Sequence, residues 1–288
     1  MKTISIDIAT CIKCGHCVRV CPSEIISQRI TSEPVRVDSV EGCISCGHCV
    51  AVCPSDSVLH SEFPAEKVHP INYSLYPTPE KMMHIIKGRR SNRAFSSRPI
   101  PKELLLQIAE AAHRAPTASN TQTVSFTIIT DPEKLKLITD YTIGIFDKLG
   151  RVLTNPLVRF FLKPFMKDVY KYEKAFSRMK EENEKGNDQI LRKATALLLI
   201  HTPKKSRFGS IDANLAYENA SLMAESLGIA HFYTGFVLTA INQDGAKKLS
   251  QKLGIDGVIH AGMAMAMASF KYPNFIDRKE LSDHLTMM

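Results

Sequence analysis

Apolar positions recur along this chain at two periods, and each period predicts a different kind of element. Helical spacing is clearest after Pro101, in the apolar residues Leu104, Leu105, Ile108 and Ala112. Thr78 and Asp131 each stand before a proline and are predicted to start two further helices, since proline suits the first helical position. Gly228 is predicted to end a long helix over 211–227.

Short apolar runs predict strands at 124–129, 194–200, 230–234 and 257–266. These strands alternate with the predicted helices, which indicates an α/β or α+β domain over residues 80–288. No apolar run approaches the ~20 residues that span a bilayer, and the first residues lack the apolar core of a signal peptide. We therefore expect a cytoplasmic protein with no membrane span.

The cysteines change this picture, because all eight lie within residues 11–53 of a 288-residue chain. They form two runs, 11–22 and 43–54, that both read C-x2-C-x2-C-x3-C-P. This spacing is typical of two-cluster bacterial ferredoxins, in which the fourth cysteine of each run ligates the other cluster. Disulfides are not expected to concentrate in one end of a chain that has a large apolar core.

The spacing assigns the eight cysteines to two 4Fe–4S clusters. Cluster I is predicted to use Cys11, Cys14, Cys17 and Cys53. Cluster II is predicted to use Cys43, Cys46, Cys49 and Cys21. A pair of zinc sites is the alternative, but zinc sites usually take two pairs of ligands separated by a longer gap. His16 and His48 are interpreted as surface residues or as neighbours of the ligands.

Residues 3 to about 60 thus resemble the bacterial two-4Fe–4S ferredoxin family. The interior of this small domain is predicted to comprise Ile25, Ile26, Val35, Val37, Val58 and Leu59, which would form its sheet and cap the clusters. Four prolines between 61 and 79 indicate an extended linker. The predicted domains are therefore 1–60, the linker 61–79, and a second domain over 80–288.

The second domain contains no G-x-G-x-x-G sequence after a strand and no Walker loop, so a Rossmann or P-loop site is not expected. Instead it has an arginine-rich start with Arg89, Ser91, Arg93 and Phe95. Guanidinium and hydroxyl groups together suit a phosphate. A polar loop follows the next predicted helix, with Pro116, Thr117, Ser119, Asn120 and Gln122.

These two motifs resemble the nitroreductase family of FMN enzymes. The predicted helix over 212–228 resembles the family's dimer-interface helix, the segment 232–236 its loop facing flavin N5, and Arg278 its C-terminal phosphate contact. The resemblance implies an α+β fold in which a ferredoxin-like two-cluster module precedes a nitroreductase-like sandwich domain, assembled as a homodimer with FMN at the interface.

The resemblance also implies a role for each matching residue. Arg89, Ser91 and Arg278 would hold the phosphate, and Arg93 would lie near flavin N1 and O2. Pro116, Thr117 and Ser119 would come from the other subunit. Asn120 and Gln122 would hydrogen-bond the ring or ribityl chain, and Thr234 and Gly235 would lie beside N5. No catalytic acid or base is identified.

The leading functional hypothesis is an oxidoreductase that passes electrons through the clusters to FMN and on to a nitro compound or quinone. The electron donor would be reduced ferredoxin or NAD(P)H. One alternative is an electron-transfer adaptor that docks a partner protein, for which the net charge of +8 would suit an acidic surface. Another is reductive dehalogenation. No nucleic-acid-binding motif is present, and the apolar and basic residues of 144–193 are interpreted as helices over the flavin rather than as a membrane-surface helix.

Overall fold

The computed structural model describes residues 2–165, 170, 173–244 and 248–288. They form two compact units. The first, here called the cluster unit, comprises Met1–Pro77 together with Ala118–Thr121. The second, here called the sheet unit, comprises Thr78–Thr117 and Gln122–Met288. The predicted domain boundaries at 60 and 79 remain a prediction.

The cluster unit is built on two short antiparallel strand pairs. Strand β1 (Ile4–Ile6) pairs with β4 (Val58–His60), and β2 (Ile26–Ser27) pairs with β3 (Arg36–Val37). Helices α1 (His16–Val20) and α2 (His48–Ala51) each lie within one cysteine run. The buried apolar core contains Ile4, Cys17, Ile25, Ile26, Val35, Cys49 and Val58.

Leu59 corrects one expectation about this core. It was predicted to lie inside, but it is 54% exposed. The reason is the two-residue period of a strand, which turns Val58 and His60 inward and Leu59 outward. The proline-rich segment that follows forms two short 3-10 turns, Ala65–Lys67 and Tyr73–Leu75.

The sheet unit is organised around one four-stranded antiparallel sheet. Its strands are β5 (Ser125–Ile129), β6 (Ala196–Thr202), β7 (Ile229–Tyr233) and β8 (Val258–Met267), in the order β5-β6-β8-β7. Each predicted strand is present within two residues of its expected ends. Although strands and helices alternate, every pairing is antiparallel, so the fold is α+β, as predicted.

Helices cover both faces of this sheet. They are α3 (Pro79–Gly88), α4 (Lys102–His113), α5 (Pro132–Thr154), α6 (Pro156–Leu162), α7 (Glu173–Glu184), α8 (Gly209–Ser226), α9 (Gly235–Gln243) and α10 (Lys248–Lys252). Two 3-10 turns add Ala118–Asn120, in the cluster unit, and Leu281–His284. Thr78 and Asp131 cap α3 and α5 as predicted, each accepting a backbone N–H.

Strand β6 explains why the sheet is buried on both sides. Leu197 and Leu199 belong to the core that includes residues of α5 and α9, whereas Leu198 and Ile200 belong to the core that includes residues of α4 and α8. A strand covered on both faces loses the alternation of apolar and polar residues. This is why β6 was recognised from a continuous apolar run.

Most described residues of the segment 144–193 lie in α5, α6 and α7, but residues 185–193 are not helical. Phe146 is buried in the core, but Phe160, Phe161 and Phe165 are exposed. Residues 166–169 and 171–172 lie outside the described part of the chain, so the proposed cover over the flavin remains a prediction. Among the described helices, none is long and apolar enough to cross a membrane.

Candidate functional site

The cluster unit gathers its eight cysteines around two small cavities. One cavity is lined by Cys11, Cys14, Cys17 and Cys53. The other is lined by Cys21, Cys43, Cys46 and Cys49. Each cavity thus combines three cysteines of one run with the fourth cysteine of the other run. The folded chain brings together the two predicted ligand sets, with all eight thiols free of disulfides.

The two cysteine runs adopt matching backbone conformations. Gly15 and Gly47 precede α1 and α2 with φ of 70° and 73°, in the left-handed region that favours glycine. A Cβ atom at Gly15 would lie 2.5 Å from Gln28 Oε1, and one at Gly47 would lie 3.3 Å from the Phe63 ring. Glycine therefore lets the chain turn tightly around each cavity.

Several N–H groups point at cysteine sulfurs. The backbone N–H of Ser45 donates to Cys43 Sγ at 3.3 Å, and that of Ser57 donates to Cys53 Sγ at 3.2 Å. His60 Nε2 lies 3.6 Å from Cys43 Sγ. Such donors stabilise the negative charge of cluster sulfurs and set the reduction potential.

The tautomer of His60 follows from its second contact. His60 Nδ1 accepts the backbone N–H of Glu62 at 3.1 Å, so the ring hydrogen of the neutral imidazole lies on Nε2 and is donated to Cys43 Sγ. Burial lowers the pKa of His60, which favours this neutral form. Sequence analysis did not find this residue, because no ligand motif includes it.

The thiols differ in how readily they lose a proton. Burial raises the pKa of Cys49 to about 11 and also raises the pKa of Cys17. Burial acts in the same direction on Cys53, but hydrogen bonds from Ser55 and Ser57 outweigh it and lower the pKa of that thiol. Iron binds thiolates, so cluster assembly must displace these protons.

In the described residues, no three His, Cys, Asp or Glu side chains are grouped to hold a single metal ion.

In the sheet unit, Arg89 follows the end of α3. Its Nε lies 3.6 Å from Glu218 Oε1 on α8. Ser91, two residues later, is exposed. Arg90, which sequence analysis did not select, has a buried Nη2 without a hydrogen-bond partner among the described residues. The motif thus combines a guanidinium that has an unpaired nitrogen with an accessible hydroxyl, which fit an anionic group such as a phosphate.

Arg93 lies next to strand β7. Its guanidinium is 5.1 Å from the centre of the Phe232 ring, and its Nη1 donates to the Ser91 carbonyl at 3.2 Å. Phe95 stacks on the same Phe232 ring at 5.7 Å and pairs with Ala268 just after β8. The arginine-rich motif is thereby fixed to the strand that ends immediately before Thr234.

Thr234 is buried, whereas its neighbour Gly235 is exposed. The hydroxyl of Thr234 is buried with no hydrogen-bond partner among the described residues. A Cβ at Gly262 would lie 2.4 Å from that oxygen, so glycine on β8 makes room for it. Gly235 is exposed at the start of α9, and no atom lies within 4 Å of where its side chain would begin. Its open backbone suits the close approach of a flat ring.

The predicted polar loop, residues 116–122, is divided between the two units. Pro116, Thr117 and Gln122 belong to the sheet unit, where the Gln122 N–H donates to Thr117 Oγ1 at 3.0 Å. Ser119 and Asn120 belong to the cluster unit. Asn120 Nδ2 donates to the carbonyls of Ile44 and Ser45 at 3.1 and 2.7 Å. A residue predicted to contact flavin therefore has its N–H groups committed to a cysteine loop.

Arg278 is not joined to the other predicted phosphate ligands. It lies in the exposed C-terminal segment and makes no hydrogen bond or ion pair within the described residues. The described chain therefore places Arg93 beside β7 and leaves Arg278 exposed.

Two family models match this chain. Residues 3–54 match the 4Fe-4S dicluster domain, and residues 86–268, more than half of the chain, match the nitroreductase family. The chain belongs to the nitroreductase family. The two matches confirm the predicted enzyme class, an FMN-dependent oxidoreductase, and the predicted pair of 4Fe–4S clusters.

Solved structures support the nitroreductase fold. A nitroreductase with bound FMN from Bacteroides fragilis is 21% identical, with a TM-score of 0.52, over 72% of this chain and 98% of that chain. A nitroreductase with bound FMN from Desulfitobacterium hafniense is 20% identical, with a TM-score of 0.54, over 72% and 97%.

A BluB-like flavoprotein from Clostridium difficile is 18% identical, with a TM-score of 0.55, over 72% of this chain and 98% of that chain. Likeness at these identities shows the fold alone. No curated protein matches the chain significantly.

Proposed function

We propose that this nitroreductase-family chain passes electrons through two 4Fe–4S clusters to FMN and from there to a small electron-poor acceptor, such as a nitro compound or a quinone. The observation that carries the proposal is the presence of a dicluster domain and a nitroreductase domain in one chain. Clusters transfer single electrons, and a fused flavin domain provides a place where two electrons can be collected. Reduced ferredoxin or NAD(P)H is the proposed donor, and the cytoplasm is the proposed compartment.

The eight cysteines are the proposed cluster ligands. Cys11, Cys14, Cys17 and Cys53 would hold cluster I, and Cys21, Cys43, Cys46 and Cys49 would hold cluster II. The grouping of the same cysteines around two cavities supports this assignment. The N–H groups that face Cys43 and Cys53 would compensate the negative charge of the clusters.

Residues of the sheet unit are proposed to hold FMN. Arg89 and Ser91 would bind the phosphate, and the unpaired guanidinium nitrogen of Arg90 supports an anion at this motif. Arg93 would place its positive charge near flavin N1 and O2, where it would favour the reduced, anionic ring. The exposed Gly235 would let its backbone approach N5. When bound, FMN supplies the exchange between one-electron and two-electron transfer.

Pro116, Thr117 and Ser119 are proposed to reach the FMN site from a second subunit, and Arg278 is proposed as a further phosphate contact. Arg278, Pro116 and Ser119 are exposed in the single chain, as expected for residues that would act at an interface. Helix α8 also exposes Ile211 and Leu215, at 60% and 44%. An apolar stripe on an otherwise packed helix marks an interaction surface, so we propose a homodimer that includes this helix.

Metal and flavin content test the proposal directly. Anaerobically purified protein is expected to hold about eight irons and eight sulfides per chain, as two four-iron clusters require, together with non-covalent FMN. Anaerobic titration with NADH, NADPH and reduced ferredoxin would identify the donor, and turnover with nitro and quinone acceptors would identify the acceptor class. Stoichiometric zinc with little iron, or FAD in place of FMN, contradicts the proposal.

A further inference from the structure

The two cysteine loops are equivalent in sequence and in backbone. Cys43 follows Cys11 by 32 positions, and Lys13 in the first loop corresponds to Ser45 in the second. Lys13 and Ser45 have φ of 59° and 54°. Both therefore occupy the left-handed region, which costs conformational energy in residues other than glycine. A contact elsewhere must hold each loop in this shape.

In the first loop, that contact is a side-chain carboxamide 15 positions further along the chain. Gln28 Nε2 donates to the carbonyl of Lys13 at 2.9 Å. The same nitrogen donates to the carbonyl of Glu33 at 2.8 Å. Both N–H bonds of Gln28 are thus used to hold backbone carbonyls, and Lys13 is fixed between Cys11 and Cys14.

The second repeat has no such carboxamide at the matching position. The position 32 residues after Gln28 is His60. The imidazole of His60 contacts the sulfur of Cys43, rather than the loop carbonyl. The second cysteine loop must therefore receive its carboxamide from elsewhere in the chain.

Asn120 supplies it. Asn120 Nδ2 donates to the Ser45 carbonyl at 2.7 Å and to the Ile44 carbonyl at 3.1 Å. Since both partners are carbonyl oxygens, only the amide nitrogen can face them. The loop carbonyl that Gln28 holds in the first run is held in the second run by a residue 75 positions away.

The local backbone supports a positioning role. Ser119 and Asn120 have φ of 51° and 52°, in the left-handed region that such residues adopt at a cost. This segment belongs to the cluster unit although both of its chain neighbours, Thr117 and Gln122, belong to the sheet unit. The hydrogen bonds from Asn120 to the second cysteine loop are a physical reason for this left-handed backbone.

We infer that Asn120 is a positioning residue for cluster II, equivalent to Gln28 for cluster I. This inference rests on the proposed assignment of the two clusters and adds a function for a residue of the predicted flavin loop. The carboxamide fixes the Ser45 carbonyl and thereby the backbone that carries Cys43 and Cys46. It makes the second cysteine loop depend on Asn120, whereas the first cysteine loop is held by Gln28.

The test compares Asn120→Leu with Gln28→Leu in the full-length protein. Iron release to a chelator is followed anaerobically, with potentiometric titration monitored by electron paramagnetic resonance. Asn120→Leu is expected to release half of the iron roughly threefold to tenfold faster, as expected for the loss of a hydrogen bond. Gln28→Leu should accelerate the other half, and the double variant should accelerate both halves.

The reduction potentials of the two clusters distinguish a positioning role of Asn120 from a general loss of stability. Asn120→Leu should shift the potential of one cluster only, and Asn120→Gln, which keeps the carboxamide, should restore part of the shift. If Asn120→Leu does not fold, Asn120→Ser provides the same comparison. Unchanged iron release, acceleration of both halves, or acceleration of the same half by Asn120→Leu and Gln28→Leu would overturn the inference. Wild-type protein without two clusters would overturn the proposed function as well.

Discussion

Arg89 illustrates how one side chain can be assigned to an anion. Its only described ion pair is with Glu218, a half-exposed carboxylate at 3.6 Å, so much of its charge remains available for another partner. The Arg89 side chain is only 20% exposed, and a guanidinium that is largely withdrawn from water needs anionic partners. The arginine is therefore better explained by binding than by folding.

Arg89→Ala is expected to weaken FMN binding roughly tenfold to a hundredfold, because a charge-assisted hydrogen bond contributes about 1.5–3 kcal/mol. The dissociation constant can be measured by fluorescence of the released flavin. Arg114→Ala is the matched control, since Arg114 forms an exposed pair with Glu110 at 2.7 Å. Equal flavin affinity in the Arg89→Ala variant and the wild type would contradict the assignment.

His60 acts at the same scale but on a cluster. Because its Nε2–H points at Cys43 Sγ, replacing it removes one donor that stabilises negative charge. His60→Leu is therefore expected to lower the reduction potential of cluster II and leave that of cluster I unchanged. Potentiometric titration measures this effect, and His48→Ala, which changes an exposed histidine, is the control. A raised or unchanged potential would rule out this role.

The contacts of some single residues could not be predicted from the sequence. The cysteines were found because cluster ligands keep a strict local spacing. Gln28, His60 and Asn120 were not assigned their contacts, because each depends on chain segments brought together by folding. Asn120 was matched to a flavin motif by its position in a loop, yet its partners lie 75 and 76 positions away.

At the scale of elements, local signals predicted most of the fold. Thr78, Asp131 and Gly228 set helix ends through capping and turn chemistry, which act over a few residues. The order β5-β6-β8-β7 could not be derived in this way, because β8 inserts between β6 and β7 by long-range pairing. The outward turn of Leu59 likewise depended on the register of a three-residue strand.

Helix α8 provides a prediction at this scale. It buries Ala213, Ala216 and Ala220 against the sheet and exposes Ile211 and Leu215 on another face. An Ile211→Lys, Leu215→Lys double variant is expected to be monomeric, because two charges would enter an apolar interface. Sedimentation velocity measures the mass.

The control for this helix is Val152→Lys, which places a lysine at an apolar residue of α5 that is 53% exposed. It should leave the mass unchanged. Flavin content should fall only in the double variant, since the proposed FMN site is completed by the second subunit. A double variant that remained dimeric would exclude α8 from the interface.

At the scale of the whole molecule, the chain order of the two units matters. The cluster unit is not a simple N-terminal segment, since it includes Ala118–Thr121 from within the nitroreductase part. Removing residues 1–60 would therefore delete the cysteines and also the acceptors of Asn120. Variants of the full-length chain test electron transfer between the units more cleanly than truncation does.

The proposed relay makes the clusters necessary for only one half of the reaction. In a Cys43→Ala, Cys46→Ala variant that retains FMN, reduction of the flavin by reduced ferredoxin is expected to collapse. Oxidation of chemically reduced flavin by a nitro or quinone acceptor should persist, because that step needs only the flavin and its binding residues. Stopped-flow absorbance at the flavin band measures both half-reactions, and flavin content confirms that the variant still binds its cofactor. Leu106→Ala, a change at an exposed residue of α4, is the control for both rates. Ferredoxin-driven reduction at the wild-type rate in the cysteine variant would show that electrons reach the flavin without cluster II, and the relay would have to be abandoned.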